Sequence, residues 1–254
     1  HISSDVASSL KAKWSGRPVF AQDWMIVAAN PYAAEAGAQV LKDGGTAADA
    51  MVAVQTILGL VEPQSSGIGG GAFLVWYDAG SGQITTLDGR ETAPKAVTPG
   101  HFQTDDGVPL KFWDAVVGGR SVGVPGTPAL MEMAHKKWGK KAWDGLFIQA
   151  IKLAENGFIV SKRLADLVAD DEKRLAFSQA TAAYFLPNGV PLAEGTRLYN
   201  QAYADVMRGM ASEGARFIYT GPIADAIVDT IQTSKNNPGL LSLSDLSDYV
   251  VKER

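Results

Sequence analysis

Val61 to Pro99, VEPQSSGIGGGAFLVWYDAGSGQITTLDGRETAPKAVTP, is the stretch whose reading decides the fold. Glu62-Pro63-Gln64-Ser65-Ser66 ends a helical pattern. In Gly67-Ile68-Gly69-Gly70-Gly71 almost every residue is free to take positive φ or to bring its backbone close to something. Ala72 to Asp78 is apolar at successive positions, which predicts a central strand buried from both sides. The turn Ala79-Gly80-Ser81-Gly82 sends the chain back as a second strand, Gln83 to Asp88. That strand delivers Arg90, with Glu91 beside it, to a strand end just before Pro94 stops the sheet.

Upstream, Met25 to Ala29 is a short apolar segment expected to be a strand, after an amphipathic piece, Val6 to Trp14. Asn30-Pro31 is a helix start, with Asn as cap and Pro at the first helical position. This helix runs to about Lys42 and stops at Asp43-Gly44-Gly45. Thr46 and Asp49 form a capping-box pair for the next helix, Ala47 to Leu60. Its small side chains and its nearly all-round apolar surface predict a buried helix.

Downstream, Ala96 to Gly126 is rich in Gly and Pro and reads as a long loop. Helices are expected at Pro128 to Trp138, Trp143 to Asn156, Ser161 to Phe177, Asn200 to Glu213 and Pro222 to Thr233, with Ala183 to Gly195 irregular. A short helix at Ser244 to Asp248 precedes Tyr249-Val250-Val251, which resembles a strand cut off where it should continue. The class is mixed α and β, with helices layered on a largely antiparallel sheet. The strands are too few for a sheet of ordinary size, so partner strands from elsewhere are expected.

Composition removes several functions. The chain has 254 residues, a net charge of −4 and no basic stripe, so nucleic acid is not an expected partner. It has no cysteine, which excludes disulfides, thiol nucleophiles and Cys-ligated metals. Three histidines, one of them His1, make a His-rich metal site improbable, and no metal or cofactor is expected. No apolar run approaches the length of about 18 residues that a membrane span needs. The chain starts at His1 rather than Met, which reads as something removed from its front, a cleaved signal peptide or an expression remnant equally.

Several motifs tempt. Gly67 to Ala72 fits G-x-G-x-x-[GA], but a helix precedes it and a strand follows, the reverse of a dinucleotide site. Gly119-Arg120-Ser121-Val122-Gly123 fits G-x-S-x-G, but Pro125 and Gly126 interrupt the helix the elbow needs, so Ser121 reads as structural. His101 and His135 each stand alone and read as surface or satisfied histidines. Asp170 to Arg174 reads as a solvated helix face. Arg90 is different. A guanidinium fork suits a carboxylate, and this one lies where loops build sites on a rigid scaffold. The competing assignment is a surface pair with Asp88 or Glu91.

The quoted stretch resembles the large subunit of the γ-glutamyltransferases (γ-glutamyltranspeptidases). So do Ala28-Ala29-Asn30-Pro31 with Glu35-Ala36-Gly37, Gly44-Gly45-Thr46-Ala47-Ala48-Asp49-Ala50, Ser121 to Gly126, Ala154 to Phe158, and Asp248-Tyr249. The resemblance implies the N-terminal-nucleophile hydrolase fold, an α+β sandwich of two sheets between helical layers (αββα). This chain, residues 1–254, would supply a single-domain portion of it. It implies a precursor that cuts itself into a heterodimer, with the nucleophilic Thr at the start of the small subunit. By match to the family's R-E-x-A-P motif, Arg90 would bind the α-carboxylate of the γ-glutamyl group. The reaction would move that group from glutathione or a related amide to water or an amino acid. Bacterial members are commonly exported, which implies a periplasmic or secreted protein.

An N-terminal nucleophile must be Ser, Thr or Cys at a chain start. This chain begins with His1, and Thr46 and Thr127 read as a cap and a loop residue, so no catalytic residue is assigned to it. It would be active only with its small subunit. One alternative is a relative of the same fold with another amide substrate, such as a glutaryl-cephalosporin acylase. The other is a degenerate, non-catalytic binding protein, told apart by whether a companion chain beginning with Thr accompanies it.

Overall fold

The structure, a computed structural model, describes residues 2–254. The reading placed on His1 lies outside the described residues. In chain order the elements are α1 (Ser4–Trp14), α2 (Pro31–Lys42), α3 (Ala47–Val61), β1 (Ala72–Asp78), β2 (Gln83–Gly89), α4 (Phe112–Val116) and α5 (Thr127–Trp138). They continue with α6 (Ile148–Asn156), β3 (Phe158–Ile159), α7 (Lys162–Asp170), α8 (Glu172–Leu175), α9 (Gln179–Phe185) and β4 (Arg197–Leu198). The last are α10 (Gln201–Glu213), α11 (Arg216–Tyr219), α12 (Pro222–Gln232), α13 (Leu243–Ser247) and β5 (Lys252–Glu253). No helix among the described residues is long and apolar enough to cross a membrane.

Contacts divide the chain into two compact units. One comprises His1–Gly67, Met133–Ala165 and Ala193–Ser212. Its centre is the α2–α3 pair. Asn30 caps α2 by accepting from the Tyr32 N–H at 3.0 Å, and Thr46 and Asp49 close the capping box of α3. Ala48, Ala50, Val52, Ala53, Ile57 and Leu60 of α3 are all buried, as the all-round apolar pattern requires. Met25 to Ala29 does not form the expected strand. It has no regular structure there; Ile26 fills the space a side chain at Gly37 of α2 would occupy, while Met25 and Val27 are exposed. No ladder partner meets it among the described residues, so alternation alone leaves it irregular.

The Asp49 carboxylate, fully buried, does more than cap. It also accepts from the Lys140 N–H at 3.0 Å and the Lys141 N–H at 3.2 Å, and His135 Nε2 lies 3.6 Å away. His135 is satisfied by the Lys141 carbonyl at 2.9 Å. The expected helix from Trp143 begins as a 3₁₀ turn, Asp144–Phe147, before α6.

The second unit comprises Ile68–Glu132, Asp166–Leu192 and Glu213–Arg254, and holds the sheet β1-β2-β5, antiparallel throughout. Leu87 pairs with Leu74 and is completely buried, so one face of the hairpin is core. The other face is not. Phe73, Val75 and Tyr77 are 61%, 71% and 63% exposed, with Ile84 opposite Tyr77 equally open. The expectation of a strand buried on both faces is therefore corrected for this chain: β1 is an edge strand, covered on one side only. The strand expected at Tyr249 to Val251 begins later, at Lys252, where β5 pairs with β2 at Asp88. The long loop contains α4, and the Ser161 to Phe177 helix is broken into α7 and α8.

Candidate functional site

β2 ends at Gly89, whose buried position against Leu130 leaves no room for a side chain. Arg90 follows, beyond the last β1–β2 pair, Ala72 with Gly89. Its backbone is held on both sides of the Cα. The Arg90 N–H donates to Asp88 Oδ1 at 3.1 Å, and its carbonyl accepts from the Tyr249 hydroxyl at 2.8 Å. Its side chain is 70% exposed and its Nε lies 3.2 Å from Glu91 Oε2. So exposed a pair contributes little to folding. The cation is fixed at its root and open at its tip, which is what capture of a dissolved anion requires.

The carboxylates around it are engaged. Asp88 accepts from Arg254 Nη2 at 2.8 Å and Nε at 3.0 Å. The Arg254 guanidinium, followed by the Arg90 N–H, holds the Asp88 carboxyl below the usual carboxylate range. Asp88 is therefore an anion wherever the protein is near neutrality, and its bonds to Arg254 and to the Arg90 N–H persist there.

The glycine run packs directly over Glu91. A side chain at Gly71 would meet Glu91 Oε2 at 2.4 Å and the Glu91 nitrogen at 2.7 Å. The Gly70 carbonyl accepts from the Gly126 N–H at 2.9 Å, the Thr127 N–H at 3.0 Å and Thr127 Oγ1 at 3.1 Å. It thereby satisfies donors at the start of α5. The run is thus a close-approach loop, as the sequence suggests. Thr127, expected in a loop, instead opens α5 and is buried. Val122 to Gly126 lies alongside Arg90 to Thr92, joined by the Val124 N–H to the Thr92 carbonyl at 2.8 Å.

The tempting motifs resolve as structure. Ser121 Oγ donates to the Val116 carbonyl at 2.7 Å. His101 Nε2 meets the Arg120 carbonyl at 2.8 Å while Arg120 Nη1 donates to the His101 carbonyl at 2.8 Å. In the charge run Arg174 pairs with Asp171 and lies 3.8 Å over the Trp113 ring, so it is less free than a solvated face implies. Among the described residues no group of three His, Cys, Asp or Glu side chains could hold a metal ion.

Two residues escape sequence reasoning. Glu62, 2% exposed, accepts from Arg163 Nη1 at 2.7 Å and from Asn30 Nδ2 at 2.9 Å, and so ties the end of α3 to the cap of α2. A Glu before Pro in a turn carries no signal of burial. Tyr249, read as part of a strand, instead braces Arg90 from a distance of 159 residues in sequence.

Residues 33–254 match the family model for gamma-glutamyltranspeptidase. The "Glutathione hydrolase proenzyme" of Bacillus subtilis (strain 168) is 40% identical over 228 residues, covering 90% of this chain and 38% of that protein. The crystal structure of Helicobacter pylori gamma-glutamyltranspeptidase superposes with a TM-score of 0.88 at 33% identity, covering 93% of this chain and 67% of that one. The cephalosporin acylase of Bacillus halodurans superposes with a TM-score of 0.75 at 28% identity, covering 93% of this chain and 46% of that one. The chain thus spans under half the length of the B. subtilis relative. Its fold is the α+β architecture of N-terminal-nucleophile hydrolases, of which it carries a part. The family match covers most of the chain, and the chain belongs to the gamma-glutamyltranspeptidase family.

Proposed function

We propose that this chain is the non-nucleophilic portion of a γ-glutamyltransferase that hydrolyses or transfers the γ-glutamyl group of glutathione and related amides. Arg90 anchors the donor's α-carboxylate. The observation that carries this is the exposed guanidinium on a backbone clamped at both its N–H and its carbonyl, inside the family's R-E-x-A-P motif. The anchoring free energy orients the γ-carbonyl toward a Thr hydroxyl. That Thr lies at the start of a small subunit cut from the same precursor, and the 254 residues are one portion of the domain it completes. The word "proenzyme" in the B. subtilis relative's name supports the processing. Export to the periplasm or beyond the cell is part of the proposal and rests on the family's habit alone.

A cephalosporin acylase activity is the second reading, favoured by the B. halodurans superposition. A glutaryl group keeps the carboxylate that Arg90 would hold and lacks the α-amine. Comparing the whole protein on γ-glutamyl and glutaryl p-nitroanilides separates the two. We expect kcat/KM to favour the γ-glutamyl compound at least tenfold. Preference for the glutaryl compound would replace the first reading with the second.

A further inference from the structure

We propose that Tyr249 is a positioning residue for Arg90, holding its carbonyl so that the guanidinium leaves the strand end in one direction. This rests on the reading of Arg90 as the carboxylate anchor. Arg90 lies past the last rung of the β1–β2 ladder, so among the described residues no sheet partner orients its peptide. Asp88 holds one side of it and the Tyr249 hydroxyl the other. An arginine side chain has many rotamers, and fixing its root narrows where its tip can go.

Tyr249 is itself built in. Its ring stacks on Tyr219, with centroids 5.8 Å apart and planes within 2°. Tyr219 is pinned by its hydroxyl, which donates to the Pro125 carbonyl at 2.8 Å and accepts from the Ala129 N–H at 3.3 Å. Gly126 is bare where the phenol passes, and a Cβ there would lie 2.2 Å from the Tyr249 oxygen. The chain before Tyr249 is set by α13. Ser242 and Asp245 form its capping box, and Asp245 Oδ1 also accepts from the Lys95 N–H at 3.0 Å. Burial, with Asp88 and Glu91 nearby, pushes the Tyr249 phenol up to about 12. The hydroxyl therefore stays a donor throughout any working pH range.

The test uses the whole enzyme with Tyr249→Phe, Arg90→Ala and the double variant, and reads KM and kcat for a γ-glutamyl anilide. A lost net hydrogen bond corresponds to about a fivefold effect. We expect Tyr249→Phe to raise KM about fivefold with kcat within twofold, and to add nothing on the Arg90→Ala background. A merely structural Tyr249 would instead lower kcat as well, by similar factors with and without Arg90, and that result overturns the proposal. An unchanged KM in Tyr249→Phe beside a raised KM in Arg90→Ala overturns it too, and leaves the anchor standing. An unchanged KM in Arg90→Ala removes the anchor and the proposal together.

Discussion

Arg90, the proposed carboxylate anchor, shows how little of such a residue is its own doing. Its charge comes with the residue type, but its backbone is held by Asp88 and Tyr249, which in the proposal set its direction. The Asp88 contribution has a pH signature. Its folded pKa is depressed, first by the Arg254 guanidinium and then by the Arg90 N–H. The stabilisation is therefore complete above the unfolded carboxylate pKa of about 3.9 and is lost as pH falls through the lower folded value. Asp88→Asn should flatten the acid side of the melting profile below about pH 4 and leave its neutral part nearly parallel to the parent. An acid limb as steep as the parent's would mean that Asp88 is not held as described. The charge of Arg90 and its place at a strand end are readable from GRETAP alone. Its clamps are not, because each depends on a residue whose position is decided by folding, Tyr249 at the end of α13 and Arg254 on β5's edge.

At the scale of elements, local chemistry and sequence agree where the chain caps itself. Asn30-Pro31 opens α2 and Thr46 with Asp49 opens α3, as the letters predict. What the letters do not show is that the same Asp49 carboxylate clamps the Lys140 and Lys141 amides from 91 and 92 residues away. The two functions can be separated. Thr46→Ala removes a cap and should cost about 1 kcal/mol. Asp49→Ala also takes the acceptor from the part-buried Lys140 and Lys141 N–H groups and should cost more, about 2–3 kcal/mol. Urea denaturation of both variants in the whole protein checks this, and equal losses would remove the clamp from the account. The misread elements share a cause. Met25 to Ala29 and β1 both carry an apolar pattern, yet pattern reports what a segment could bury, not what meets it. Ile26 finds α2, whereas Phe73, Val75 and Tyr77 find solvent. The glycine run was readable as a close-approach loop because reversing strand and helix around it excluded the nucleotide alternative, but its target, Glu91, was not.

For the whole molecule, the family was legible because its marks are short and lie where backbones approach or charges emerge: Gly67 to Gly71, Arg90 to Pro94, Ser121 to Gly126. The hairpin between two of them carries an apolar face that this chain leaves open. In the proposed enzyme the second sheet of the sandwich comes with the remainder of the protein, since this chain spans 38% of its B. subtilis relative. In that proposal the nucleophile arrives with it, and the part assigned to this chain is to bind and orient rather than to attack. The Michaelis constant of the whole enzyme for a γ-glutamyl anilide, with and without Arg90→Ala, tests that division most directly. The account predicts a rise of at least tenfold, about 1.4 kcal/mol of lost binding or more. An unchanged Michaelis constant would contradict it.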